Sequence, residues 1–156
     1  MKIKQWRGEH VVFPEVRESD HFGLNLLSIL MKMNPLQYRT WMYYDDYDIP
    51  IAFGGIVVEE PKTGTAFTFL SESIKEKPVA FTLACRRKMI QGARELFLDN
   101  LYAYVDTRHP ERCGWIERLG FERDDSMTQE YNNIEMWVYR WAHLHQYSWH
   151  SPQQAQ

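Results

Sequence analysis

The chain has 156 residues, a length that suits one domain with a sizeable hydrophobic core. Apolar residues make up 44% and charged residues 25%, and a formal net charge of −3 argues against an electrostatic partner such as nucleic acid. No run of about 18 apolar residues is present, so no membrane span is expected. The two cysteines lack CxxC or metal-ligand spacing, and no secretion signal is recognised, which together predict a reducing compartment.

The first half of the chain contains one helical pattern followed by three strand patterns. Apolar residues recur at helical spacing over residues 22–33, with Ser19 and Asp20 as candidate caps and Pro35 just after the end. The strand patterns cover Tyr38–Tyr44, residues 51–58 and residues 65–70. Acidic, proline and glycine turns separate these patterns, so the first half predicts a helix and a three-stranded meander.

A long amphipathic helix is predicted from Pro78 to about Asn100, because proline is tolerated in a first helical turn. Its core-facing positions are predicted to be Leu83, Ile90, Ala93 and Phe97, flanked by Met89 and Leu96. Arginine and lysine side chains fill much of the opposite face, which indicates a solvated surface.

The last part of the domain predicts a strand, a short helix and a hairpin. Residues 101–105 form the strand pattern, and residues 111–119 form a helix closed by Gly120 in the usual C-terminal glycine position. A strand starting at Phe121 then pairs with a strand over residues 134–141. The whole order predicts an α/β fold with a mixed, mostly antiparallel sheet, as a single domain over residues 1–150. The polar residues 151–156 are predicted to be a frayed tail.

Residues 101–121 carry a resemblance to a known family. The run Leu101-Tyr102-Ala103-Tyr104-Val105, the helix pattern after it and the closing Leu119-Gly120-Phe121 resemble the fifth strand, following helix and Leu-Gly-Phe turn of the GNAT acyl-CoA N-acyltransferase superfamily. This resemblance implies a GNAT-like central sheet flanked by helices.

A narrower resemblance extends from about Phe13 to Trp141. The helix start at residues 17–20, the apolar strand at residues 50–57 and the strand at residues 64–70 are similar to phage proteins of the internal virion protein A type and to GNAT-like phage proteins of unknown role. This resemblance implies a phage accessory or virion-associated protein that binds a phage or host protein. Such a protein would work in the host cytoplasm or be packaged in the virion, and homo-oligomers are left open.

GNAT enzymes hold the pyrophosphate of acetyl-CoA on a glycine-rich loop at the start of the long helix, where backbone N–H groups and the helix dipole meet the anion. The matching stretch here, residues 71–82, contains no glycine. The leading hypothesis is therefore a degenerate site that binds no cofactor. The alternative is an active acetyl-CoA-dependent N-acetyltransferase with a divergent loop. In that case the cofactor would be held by Ser71, Ser73, Lys75, Lys77 and Thr82.

The catalytic positions that the resemblance implies also diverge. The position of the family's proton-donating tyrosine is Ile116, whose side chain has no proton to give. Glu72 is the candidate base and Tyr131 the candidate acid, with Tyr102 and Tyr104 as alternative acids. Three histidines near the C-terminus have no convincing zinc spacing, so no metal site is predicted. Both cysteines are predicted to pack in helices and not to act as nucleophiles.

Overall fold

The computed structural model of the chain describes residues 1–8, 29–30, 32–71, 78–131 and 133–141. The strands are β1 (Lys2–Trp6), β2 (Tyr38–Tyr44), β3 (Pro50–Glu60), β4 (Thr63–Leu70), β5 (Asn100–Asp106), β6 (Phe121–Tyr131) and β7 (Ile134–Trp141). The helices are α1 (Pro78–Glu95) and α2 (Glu111–Leu119), with a 3-10 turn at Pro35–Gln37. The seven strands form one sheet in the order β1-β2-β3-β4-β5-β7-β6.

All neighbouring strands pair antiparallel except β4 and β5, which are parallel. Parallel neighbours need a crossover connection, and here that connection contains α1. The prediction of a mixed, mostly antiparallel sheet is therefore confirmed. The meander of β2, β3 and β4 and the final hairpin of β6 and β7 also match the strand patterns.

Hydrophobic cores lie on both faces of the sheet. Side chains of α1 and α2 cover one face, where the buried residues include Trp41, Ile56, Phe81, Met89, Ala103 and Tyr139. The second core comprises Trp6, Leu30, Tyr38, Met42, Phe53 and Phe69. We call these the helical face and the opposite face. A strand buried on both faces reads as a continuous apolar run, which explains the pattern of β3.

The buried side of α1 differs from the prediction. Its buried residues are Phe81, Ala84, Cys85, Met89, Gly92 and Ala93. Leu83 is 56% exposed and Phe97 is 69% exposed, so assigning them to the core was wrong. Small side chains hold the helix close to the sheet, with Gly92 directly over the Trp41 ring. The prediction was right for Met89 and Ala93, but it omitted Gly92 and the other small buried residues and so rotated the stripe towards Leu83.

The helix α1 also ends earlier than predicted. Leu98 N donates to Ala93 O at 3.0 Å and Phe97 N donates to Arg94 O at 3.2 Å, the two bonds of a Schellman motif. Phe97 takes the left-handed position of that motif, with φ of 54°. Leu98 is buried at the start of the next segment. The aromatic side chain that seemed to extend the helix is thus the residue that terminates it.

The strand β1 was not predicted. It is an edge strand paired with β2, and only Trp6 among its five residues is buried. Such a short, mostly exposed strand has almost no hydrophobic pattern. Most of the helix predicted over residues 22–33 lies outside the described residues. Within it Ile29 and Leu30 are helical, with Leu30 buried and Ile29 exposed.

The turn from α2 into β6 is as predicted. Gly120 has φ of 117°, and its N–H bonds to the carbonyls of Glu117 and Ile116. A Cβ at this position would meet the Trp141 ring at 3.1 Å. Both the dihedral angle and the close approach require glycine. Leu119 and Phe121 on either side are buried, so this turn fixes α2 on the helical face.

Candidate functional site

The strands β4 and β5 pair over only three residues and then part. The pairs are Thr63 with Asn100, Gly64 with Leu101, and Thr65 with Tyr102. Beyond them β4 continues to Leu70 beside β3, and β5 continues to Asp106 beside β7. The sheet therefore opens between the carboxyl ends of its one parallel pair. In α/β sheets, openings at the carboxyl ends of strands are common ligand positions.

Backbone groups of β4 point into this opening. Ser71 N donates to Ile51 O at 2.9 Å, which makes Ser71 and Ile51 a hydrogen-bonded antiparallel pair. Such pairs alternate along an antiparallel ladder, so residues 67 and 69 turn their N–H and C=O groups towards β3. The residue between them, Thr68, turns its N–H and C=O groups towards β5. It lies three residues beyond the last pair with β5.

The same alternation applies to β5. Thr107 N donates to Glu135 O at 3.1 Å, so residues 105 and 103 face β7 with their backbone groups. Tyr104 then turns its N–H and C=O groups towards β4, on the other side of the opening from Thr68. An extended ligand between the strands would meet backbone donors and acceptors on both sides.

The first turns of α1 are tied to α2. Thr82 Oγ1 donates to Pro78 O at 2.7 Å and accepts from Trp115 Nε1 at 3.0 Å. The rings of Phe81 and Trp115 are stacked, with centroids 5.9 Å apart and planes 9° apart. The start of α1, which follows the loop after β4, is thus held against α2 by one hydrogen bond and one ring stack.

Two of the five predicted cofactor-binding residues lie within the described part of the chain. Ser71 is 2% exposed at the end of β4, and Thr82 is half-buried in α1. They stand on either side of the loop that joins β4 to α1. Ser73, Lys75 and Lys77, with the candidate base Glu72, lie in residues 72–77, outside the described residues. Their roles stay predictions.

The candidate acid Tyr131 lies in β6, with β7 between β6 and β5. It pairs with Ile134 at the end of the sheet where β5 reaches Asp106. Two strand spacings place its backbone ~10 Å from that of β5. Its proposed role also stays a prediction.

Tyr104 is an alternative acid that borders the opening directly. Its side chain is half-buried on the opposite face and hydrogen-bonds with the Thr65 side chain. Burial, and secondarily the charge of Glu59, raise the pKa of this phenol. Tyr104 therefore keeps its proton at neutral pH. Ile116, at the family's tyrosine position, is half-buried against the core of the helical face.

A polar cluster at the carboxyl end of β5 was predicted only as a turn. Arg108 holds both oxygens of the Asp106 carboxylate, with Nη2 2.7 Å from Oδ2 and Nε 3.0 Å from Oδ1. The Arg108 N–H also donates to Oδ1 at 2.9 Å. These bonds from Arg108 lower the pKa of Asp106. The Asp-x-Arg spacing is visible in the sequence, but no ion pair was predicted from it.

The next residues of this turn place an imidazole beside a carboxylate. His109 N donates to Asp106 O at 2.9 Å, which closes the turn. His109 Nδ1 lies 3.4 Å from Glu111 Oε1, and the His109 side chain is 34% exposed. Glu111 is the first residue of α2, where the helix dipole stabilises a negative charge. The turn therefore combines an ionised carboxylate, a guanidinium and an imidazole at the edge of the opening.

The two thiols lie in the helices, as predicted. Cys85 is fully buried and hydrogen-bonds with Tyr43, and burial raises its pKa to about 12. Cys113 is half-buried on α2 beside Tyr139, whose own pKa is raised, chiefly by burial. Cys85 thus stays a thiol at neutral pH, consistent with packing.

Comparisons with known proteins bear on the fold. No protein-family model and no curated protein matches the chain. A variant of the spermidine N-acetyltransferase SpeG from Vibrio cholerae is similar in structure, with a TM-score of 0.61 and 12% identity, over 90% of this chain and 94% of that one. The acetyltransferase candidate yncA from Salmonella typhimurium, solved with its cofactor acetyl-CoA, gives a TM-score of 0.58 and 12% identity over 74% of this chain and 70% of that one. A phosphinothricin N-acetyltransferase candidate gives a TM-score of 0.55 and 12% identity over 89% of this chain and 97% of that one.

Identities this low show the fold alone. The chain has a GNAT-like fold, with a mixed seven-stranded sheet flanked by helices. The comparisons give no support to the resemblance to phage virion proteins. Among residues 1–8, 29–30, 32–71, 78–131 and 133–141, no helix is both long and apolar enough to cross a membrane.

Proposed function

We propose that this GNAT-like chain is an acetyl-CoA-dependent N-acetyltransferase. One observation carries the proposal: the single parallel pair of the sheet separates after Thr65 and Tyr102. The opening is lined by main-chain donors and acceptors, at Thr68 on one side and Tyr104 on the other. Bound acetyl-CoA would supply an activated acetyl thioester, and its pantetheine arm is an extended chain with two amides that suits such an opening.

The residues around the opening fit a CoA thioester in three respects. Backbone groups of β4 and β5 can pair with amides. The stacked rings of Phe81 and Trp115 form an apolar contact at the start of α1. The segment between β4 and α1 contains Lys75 and Lys77, which can neutralise a pyrophosphate by charge, where GNAT enzymes use glycine N–H groups. We therefore assign Ser71, Ser73, Lys75, Lys77 and Thr82 to cofactor binding under this proposal.

The alternative hypothesis is a protein-binding role without cofactor, as a phage accessory or virion protein. It rests on sequence resemblance alone. No geometry in the described part of the chain favours it, and the similar solved structures include acetyltransferases. A homo-oligomer, a phage or host protein partner, and host-cytoplasmic or virion localisation remain untested hypotheses.

Calorimetric titration of the full chain with acetyl-CoA and with CoA tests the proposal. Saturable binding with a Kd near or below about 100 µM, roughly 5 kcal/mol of interaction, is expected. The double variant K75A/K77A should weaken binding at least tenfold, because it removes the charge that replaces the glycine loop. Lys62 is a matched control, since it is an exposed lysine on the β3–β4 turn at the opposite end of β4. K62A should bind like the unmodified chain.

The outcomes separate the two hypotheses. Absence of saturable binding at millimolar cofactor would overturn the enzyme proposal and leave the protein-binding role. Where binding is seen, release of free thiol from acetyl-CoA in the presence of spermidine or lysine-containing peptides tests for transfer. Equal binding by K75A/K77A and the unmodified chain would show that the loop lysines do not hold the cofactor.

A further inference from the structure

We propose that His109, oriented by Glu111, is the group that moves the proton during acyl transfer. This inference rests on the proposed function. It also answers a question left by Ile116, which cannot act as the acid. The observation that carries it is the turn after β5, which places one imidazole and one carboxylate at the edge of the opening.

The position of His109 is fixed by backbone and ionic contacts. Its N–H bonds to Asp106 O at 2.9 Å, and its own carbonyl accepts from Arg112 N at 3.1 Å. The first of these bonds closes the turn directly after β5, and the second continues that turn into α2. The Asp106–Arg108 ion pair further stiffens the same turn. The imidazole is thus held at the carboxyl end of β5, where β4 has already diverged.

The neighbouring ionisable groups are poorly suited to accept and return a proton. Asp106 is held ionised by Arg108, since that contact lowers its pKa. Tyr104 stays protonated, because burial raises its pKa. Imidazole is the side chain that both gains and loses a proton near neutral pH. His109 is the one histidine of six that lies within the described ranges.

Glu111 gives the imidazole a defined orientation. Its Oε1 lies 3.4 Å from His109 Nδ1, close enough for Nδ1 to carry the hydrogen and leave Nε2 as the acceptor. This arrangement, in which a carboxylate selects the tautomer of a histidine base, is a general device in enzymes. Charged groups that interact with the ring include Glu111 from α2 and Asp106 from the end of β5.

The proton balance of the transfer requires only one such group. Nε2 of neutral His109 takes the proton that the amine loses as its nitrogen bonds to the acetyl carbon. Nε2 then returns that proton to the sulfur as the carbon–sulfur bond breaks. An amine and a thioester become an amide and a thiol, with no change in oxidation state and no net proton.

The first test uses the unmodified full chain labelled with 13C-histidine, with the His109 ring signal assigned by comparison with H109Q. CoA and desulfo-CoA are the two probes. CoA is expected to change the midpoint of the His109 titration, because its thiol would exchange a hydrogen bond with the imidazole Nε2. Desulfo-CoA lacks the sulfur and is expected to leave the midpoint unchanged. An identical response to both probes would overturn the assignment.

The second test is kinetic and separates the failure of this inference from failure of the proposed function. H109Q is expected to bind CoA as the unmodified chain does but to acetylate at least tenfold more slowly, at the lower edge of what general acid–base catalysis contributes. Added imidazole should restore part of the rate to H109A. E111Q should lower the rate less and shift its pH profile.

If the unmodified chain binds and acetylates while H109Q keeps its rate and pH profile, the role of His109 is refuted and the enzyme proposal stands. If the unmodified chain binds no CoA, both are refuted. Should H109Q fail to fold, H109A replaces it for the assignment of the His109 signal and for the kinetic comparison.

Discussion

Replacement of glycine by alanine should change the free energy of unfolding in opposite directions at two positions, one in each helix. Gly92 of α1 lies over the sheet, and a Cβ there would be 2.8 Å from Trp41 Cη2 and 3.2 Å from Ile56 Cδ1. Gly114 of α2 has only Arg118 Nη2 near the same position, at 3.9 Å. Alanine in place of glycine inside a helix gains about 1 kcal/mol from backbone propensity. The two variants therefore share the same gain and differ in packing.

The magnitude follows from these distances. Carbon atoms in contact sit about 3.5–4.0 Å apart, so α1 or the Trp41 ring must move by roughly 0.7 Å or more in G92A. Trp41 is 3% exposed, and overpacking at such a buried side chain costs about 1–3 kcal/mol. We expect G92A to lose about 1 kcal/mol net after the propensity gain and G114A to gain about 0.5–1 kcal/mol.

Urea unfolding followed by tryptophan fluorescence measures both variants against the unmodified chain. The slope of the free energy of unfolding against urea should stay the same, so that midpoints report stability. The reasoning is refuted if G92A is as stable as G114A, since that result would mean that α1 does not press on Trp41.

Four further predictions concern single side chains. G120A should lose about 1–2 kcal/mol in the same urea assay, because its φ of 117° is unfavourable for any residue with a Cβ; an unchanged midpoint would contradict the turn geometry. F97G should gain about 0.5 kcal/mol or more, because glycine tolerates the φ of 54° and the ring that it replaces is 69% exposed; a loss would show that the ring contributes contacts. R108Q should reduce the amount by which the free energy of unfolding falls as the pH is lowered into the acid range. The Asp106 pKa is lowered on folding, so its stabilisation is present above about pH 3.9 and is lost as pH falls further; urea midpoints from pH 2 to 6 measure this, and a steeper fall would refute the assignment. Cys85, with a pKa raised to about 12, should resist DTNB at pH 8 in the folded chain and react in urea; two fast thiols under native conditions would refute its burial.

The sequence predicted the fold where local signals and tertiary packing agree. The run that ends in Leu119-Gly120-Phe121 requires a left-handed glycine between two buried residues, and the structure has that arrangement. The strand β3 was predicted because burial on both faces leaves a continuous apolar run. Both signals are local, so a single sequence is enough to recognise them.

The errors came from packing that no local pattern records. The buried stripe of α1 includes Gly92 and two alanines, which are uninformative as hydrophobic markers but allow the helix to approach the sheet. Phe97 was predicted to be a core residue, but in the structure it lies at the C-terminal end of α1. At the candidate site, the sequence indicated the loop after β4. The opening between β4 and β5 was not predicted, because it depends on where pairing stops. His109 was not among the predicted site residues, because its position at the carboxyl end of β5 beside the opening exists only in the folded chain.

The early separation of β4 and β5 has a consequence for how such a chain diverges. An opening bordered by the peptide groups of Thr68 and Tyr104 offers its donors and acceptors whatever side chains stand at those positions. The register of the strands and the placement of the helices determine such an opening. The side chains at the bordering positions can therefore vary without changing its backbone donors and acceptors. A similar fold at 12% identity is consistent with this freedom. Such an opening depends on where the backbone hydrogen-bond ladder stops, and not on the identity of the residues beside it.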